Sequence, residues 1–214
     1  FTGDVSLKGT FSAADVTITG DTTLTGDTIF DATSVTFSGD VDSDGNNLTI
    51  GTNSNATTAT FAGDVIRTST LTLYGNTTLS GAVTINVNNW ANPSSKTITP
   101  GTSTVTVKDS ITGSNNFNNL TTTGTSLSFE AGKTQTIGGT FTATGTALQS
   151  STNGTQWNID VASANASVSN VTVKDSNSVN LITPTGTNVN LGNNINWDIS
   201  SIYRWKTTAA TTAW

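Results

Sequence analysis

The chain has no cysteine, no histidine and no methionine, and these three absences remove most of the usual catalytic repertoire. Without cysteine there is neither a disulfide framework nor a thiolate site. Without histidine the commonest general base and the commonest transition-metal ligand are missing. The Ser–His and Cys–His nucleophile pairs go with them, so no enzyme activity is expected. Charge is also scarce: eight Lys and Arg stand against fourteen Asp and Glu, a net charge of -6. A nucleic-acid partner, which demands a basic surface, is therefore not expected. No apolar run approaches the length of a membrane span. The first residue is Phe rather than Met, as in a processed or trimmed chain.

What is present is polar and β-branched. Thr (47) and Ser (24) make up a third of the 214 residues, and a second third is hydrophobic. Disorder normally pairs low hydrophobicity with high charge. Here the dominant Thr, Val and Ile suit a pleated strand, and abundant Gly and Asn supply tight turns. The chain reads as all-β.

Short alternating strings recur along it, each closed by Gly and a polar residue: "VTITGDT" from Val16, "VTFSGDV" from Val35, "ATFAGDV" from Ala59 and "LTLYGNT" from Leu71. Residues two apart alternate between apolar and hydroxylated, which places one face inside and one in water. Gly-Asp or Gly-Asn then breaks the strand. "VTVKDS" occurs twice, at 105–110 and 171–176, 66 residues apart, or about three coils of 22. Sandwich strands need not resemble one another, whereas solenoid coils stack on near-copies of themselves. These strings predict a right-handed parallel β-solenoid of about nine or ten coils over residues 1–200, with a β-sandwich as the alternative. A subdivision is placed near 90–100 and an aromatic tail at 201–214. Val16, Ile18, Val35, Phe37, Val105, Val107, Val171 and Val173 are expected inside. The Asn clusters "NVNNW", "NNFNNL" and "NVNLGNNINW" are expected to form hydrogen-bonded ladders at coil corners.

The stretch from about 105 to 197, with "NNFNNL", "FEAGKTQTIGGTFTATGT", "GTQWNI" and a closing "GNNINW", resembles the right-handed β-helix repeats of large bacterial surface and secreted proteins. The first hundred residues are similar to the looser coils of haemagglutinin-type and autotransporter adhesins. The resemblance implies a fold and an extracellular or cell-surface location; it implies no catalytic residues.

Four features suggest sites. In "DVDSDGNN", Asp40, Asp42, Asp44 and Gly45 have the opening spacing of a calcium loop, but the twelfth position, which should supply a bidentate Glu, is Gly51. Calcium is the one cofactor this suggests, and an acidic turn is the alternative. Carboxylate pairs for polysaccharide cleavage would need two acids across one bond, and Asp27 with Asp31 or Asp40 with Asp64 are the candidates. "TxT" strings suggest a face matching ice or a crystalline polysaccharide, although along the sequence they recur irregularly. N-x-S/T sequons at Asn47, Asn55, Asn76, Asn119, Asn153, Asn165 and Asn170 are no more than a chain this rich in Asn, Thr and Ser produces by chance.

The function expected is therefore structural: a subunit of an extracellular fibre or filament built from copies of itself end to end, or an adhesin stalk. The alternatives are a β-helix that binds or cleaves carbohydrate, with surface glycans as partners, and a lattice-binding solenoid. Five residues are expected to make the junction: Phe1 and Val5 at the first coil, and Tyr203, Trp205 and Trp214 in the tail. The tail would dock on a neighbouring subunit or add a strand to it; folding back over its own chain is the alternative.

Overall fold

A computed structural model describes residues 1–199. Tyr203, Trp205 and Trp214 lie outside these residues. The described chain is a parallel β-solenoid of about 10 turns, without α-helix. Its 22 strands pair only in parallel, and each pairs with the strand one turn away in the stack, which rules out the β-sandwich. Each coil has three faces. The first two coils run round all three as single strands, Val5–Ile18 and Thr22–Phe37. Later coils break at their corners, as in Val41–Asp42, Leu48–Ile50 and Thr58–Phe61.

Alternation within each strand builds the core as columns. On the first face the inward column runs Val5, Thr22, Val41, Val65, Ile85, Val105, Leu120, Phe141 and Ala166, one residue per coil. On the third face Ile18, Phe37, Phe61 and Leu79 are stacked in the same way. All eight positions expected inside are buried. Trp90, Trp157 and Trp197, far apart in sequence, are also core residues. Trp157 stacks on Phe129 with ring centroids 3.8 Å apart and lies 6.4 Å from Trp197.

The coils are unequal. From Val105 to Leu120 a turn takes 15 residues, and from Phe141 to Ala166 it takes 25. This corrects the reading of the repeated hexapeptide. Three coils on from Val107 the stacked residue is Val168, through Thr122 and Ala143. The second "VTVKDS" lies further along the coil, on the second face, where Val173 stacks on Leu148 and Leu127. The copies therefore serve different faces. A strand and turn of this composition fit any face, because inward alternation and a polar corner are needed on all three. Their aspartates differ accordingly: Asp109 is exposed, whereas Asp175 is buried in a left-handed turn with φ 53. The Asp175 carboxyl is held below the usual range by Asn193 Nδ2–H at 2.8 Å and then by Gly154 N–H at 3.0 Å.

The recurring Gly-Asp breaks stack into a ladder of their own. Asp4 Oδ1 accepts Asp21 N–H at 3.0 Å, Asp21 Oδ1 accepts Asp40 N–H at 2.9 Å, and Asp40 Oδ1 accepts Asp64 N–H at 2.8 Å. Asp64 Oδ1 closes the series on Thr84 N–H at 2.7 Å. The preceding glycines let the backbones come this close, since a Cβ at Gly63 would collide with the Gly39 carbonyl and one at Gly39 with Gly20. Gly63→Ala is expected to cost about 1–3 kcal/mol, because backbone rather than a flexible side chain must move. Chemical denaturation measures this, and an unchanged midpoint would mean the turns are not in close stacking contact.

Candidate functional site

Beside the corner between the first and second faces lies an open groove of about 620 Å³, lined by Asp44, Arg67, Asn86, Asn88, Lys108 and Thr123 among others. Its walls come from successive coils. The corner is irregular: the ladders shift register between Leu7 and Gly9, Val65 and Thr68, and Val107 and Ser110. These shifts let outward side chains splay instead of lying in tight columns.

Arg67 organises one end of the groove. It is in the left-handed region with φ 53, which is uncommon for a residue other than Gly, Asn or Asp. Its carbonyl accepts Gly45 N–H at 2.7 Å. Its guanidinium donates to Asp42 Oδ2 and, at 2.6 Å, to Asp44 Oδ1. Asp42 Oδ1 also accepts Asp44 N–H at 3.0 Å. The Asp42 carboxyl is held below the usual carboxylate range, first by the Arg67 hydrogen bond, against the opposing effect of burial, and further by Asp44 N–H and the Arg67 charge.

The calcium-loop residues are thus divided. Asp42 and Asp44 converge on a guanidinium, while Asp40 belongs to the turn ladder and accepts Asp64 N–H. Among the described residues no group of three or more carboxylates is placed to hold a metal ion. The partner that replaces a cation, Arg67, lies 23 residues beyond Asp44, and nothing in the local spacing signals it.

Linkage gives this cluster a test. A carboxyl with a depressed folded pKa stabilises the fold above its unfolded pKa, about 3.9, and the contribution is lost as pH falls through the folded value. In a carboxyl NMR titration Asp42 is expected to titrate below about 3.9, and Arg67→Met to move it upward. A midpoint that stays in place in the variant would remove Arg67 as the cause.

The paired acids serve as backbone and amide acceptors. Asp27 Oδ1 accepts Asn47 N–H at 2.9 Å, and Asp31 Oδ1 accepts Asn55 Nδ2–H at 2.6 Å. Asp40 and Asp64 are consecutive rungs of the turn ladder. Several sequon asparagines tie coils together in the same way: Asn119 Oδ1 accepts Thr140 N–H at 2.9 Å and Asn170 Oδ1 accepts Thr187 N–H at 2.9 Å.

The threonines differ from their sequence reading. Thr17, Thr36, Thr60, Thr78 and Thr99 are stacked in one outward column on the third face, in strict register. Their irregular spacing along the chain reflects unequal loops. None of the five hydroxyls has a partner among the described residues. The neighbouring column, however, starts at Asp15 and Ser34, which bond to each other at 2.6 Å. The array is therefore one column wide.

At the first coil, Phe1 is exposed; its ammonium donates to Thr17 O at 2.7 Å and its carbonyl accepts Thr19 N–H at 3.1 Å. Val5 is partly buried, and its N–H donates to Asp21 O at 2.9 Å. Val5–Ile18 pairs with Thr22–Phe37 on one side; on the other, among the described residues, no strand pairs with it and only Phe1 meets its backbone, at the third-face end. The opposite end is built differently. Its strands are short, Val189–Asn190 and Ile195–Trp197, and asparagine side chains supplement them. Asn188 Oδ1 accepts Val171 N–H at 2.9 Å, Asn194 Oδ1 accepts Ser176 N–H at 3.0 Å, and Asn196 Nδ2 donates to Ser178 O at 2.8 Å.

Compared with protein families, curated proteins and solved structures, the chain matches none. The likeness to adhesin repeats therefore rests on the quoted motifs alone, and the established part is the parallel solenoid.

Proposed function

We propose that this protein is a structural element of an extracellular or cell-surface assembly: a stiff stalk of stacked coils, of the kind found in haemagglutinin-type and autotransporter adhesins. The observation that carries this reading is the unbroken inward column from Val5 to Ala166, which makes one continuous core through successive coils. Each coil contacts only its neighbours, so length and stiffness accumulate with every turn. Over its first two faces Val5–Ile18 has no partner strand on one side among the described residues, and such backbone accepts another strand. An end-to-end fibre would need such an edge at both ends, and among the described residues the last coil has only short strands supplemented by Asn. The stalk is thus the form the geometry favours.

Sedimentation velocity and negative-stain imaging over a hundredfold concentration range test this. The expectation is particles about 48 Å long along the stack, from about 10 turns at ~4.8 Å each, associating at most in pairs through the first coil. Open-ended filaments would restore the fibre.

A second reading has one observation in its favour, the groove at Arg67 and Lys108, whose size falls in the small-ligand range of about 300–1,000 Å³. Amides, hydroxyls and cations there suit a saccharide. Oligosaccharide titration that shows binding lost in Asn88→Ala and Lys108→Ala would move the function to that site.

A further inference from the structure

Asparagine side chains in this molecule are mostly spent on holding coils together. Asn46, Asn55 and Asn92 donate to carbonyls of a neighbouring coil, and Asn47 donates to Asp27. The groove beside the corner of the first and second faces departs from this. Asn86, Asn88, Thr106, Lys108 and Thr123 line it, and none of their side chains has a partner among the described residues. Five polar side chains thus converge on one concave surface with their hydrogen-bonding capacity unused.

The five stand on three successive coils, and with Asp44 and Arg67 the lining spans five coils. At ~4.8 Å per coil, four steps make a run of about 19 Å along the stack. A groove of this shape suits a linear chain rather than a compact ligand. Asn86 and Thr106 are in register on adjacent coils, and Lys108 follows where the ladder shifts between Val107 and Ser110. Gly124 leaves room for the Lys108 stem, since a Cβ there would lie 3.3 Å from Lys108 Cγ and closer still to its carbonyl.

Two cations line the groove, but only one is available to a ligand. Arg67 already donates to Asp42 and Asp44. Lys108 is exposed and makes no ion pair among the described residues. In a protein of net charge -6 its ammonium is a local exception, which attracts an acidic chain that most of the surface repels. The lining has no aromatic ring on which a neutral sugar could stack. Bonds from amides and hydroxyls to a neutral sugar replace bonds to water at little net gain, whereas a bond from an ammonium to an anion is stronger.

We infer that the groove takes an acidic saccharide, a carboxylated or sulfated sugar chain laid along the stack with an anionic group on Lys108 Nζ and hydroxyls on Asn86, Asn88 and Thr106. This rests on the saccharide reading of the groove and names its ligand class. Because the groove runs along the side of the stack, a stalk can carry it.

Calorimetric titration with three probes tests the inference: an oligouronide, the carboxyl-reduced form of the same oligosaccharide, and a sulfated neutral oligosaccharide. At least one acidic probe should bind about tenfold or more tighter than the neutral form. Added salt should weaken the acidic probe alone. Lys108→Gln should reduce its affinity to that of the neutral form while keeping the wild-type circular dichroism. Lys96→Gln, an exposed lysine outside the groove, should change nothing. Preference for the uronide or for the sulfated probe identifies which acid is recognised. Equal binding of all three would overturn the inference and leave the saccharide reading standing. Binding of none would overturn both. An acidic preference that survives Lys108→Gln would overturn the assignment to this groove.

Discussion

Val107→Asp is expected to lower the stability of the chain by roughly 3 kcal/mol or more, and Thr106→Asp, one residue away, by less than about 1 kcal/mol. Val107 is fully buried on the first face, in the inward column beside that of Val105, between Val87 and Thr122 on the adjacent coils. A carboxylate there would have neither water nor a cation, and the backbone groups around it are already committed to the ladder. Thr106 points outward between Asn86 and Thr121, where a carboxylate remains hydrated. Denaturant unfolding of the two variants measures the difference. Equal losses would mean that the inward face has been misassigned.

Asn115→Ala is expected to cost about 3 kcal/mol, whereas Asn116→Ala on the same strand stays within about 0.5 kcal/mol. Asn115 is the centre of a buried polar network. Its Oδ1 accepts Trp90 Nε1–H at 2.8 Å and Asn92 Nδ2–H at 3.1 Å. Its Nδ2 donates to Gln135 Oε1 at 2.9 Å and to the Thr112 and Gly113 carbonyls. Truncation leaves the Trp90 N–H and the Gln135 carbonyl short of partners where water does not reach, and each buried unpaired group costs about 1–3 kcal/mol. Asn116 is exposed and has no such neighbours. Near-UV circular dichroism adds a readout of its own, since Trp90 packs edge-on against Phe117 with centroids 5.3 Å apart. An Asn115→Ala variant as stable as Asn116→Ala would show that the network contributes no net stability.

The Asn network was only partly legible. "NNFNNL" and "NVNNW" announced ladders, and amide contacts between coils do form, but the strings do not say which Asn turns inward. Asn115 does so because it occupies an inward position two before Phe117, while its immediate neighbour Asn116 faces water. The Arg67 cluster was not legible at all. Its three members come from two coils, and the alternating carboxylates of "DVDSDG" suggested a cation of a different kind. Lys108 and Arg67 are far apart in sequence and share a groove only after the coils stack.

Two properties were settled by the sequence itself. Strict alternation of apolar and hydroxylated residues identifies the inward positions, because side chains on a strand have a period of two whatever the strand pairs with. Gly followed by Asp or Asn marks the corners, because those residues carry the backbone through a turn at little cost. Both are local rules, and both survive drift between repeats. What the tertiary structure decided was register. Coils of 15 to 25 residues give no fixed period from which to count. The level and face at which a string settles depend on which columns of side chains fill the shared core. That is why two identical "VTVKDS" strings occupy different faces, and why irregularly spaced threonines line up in one column.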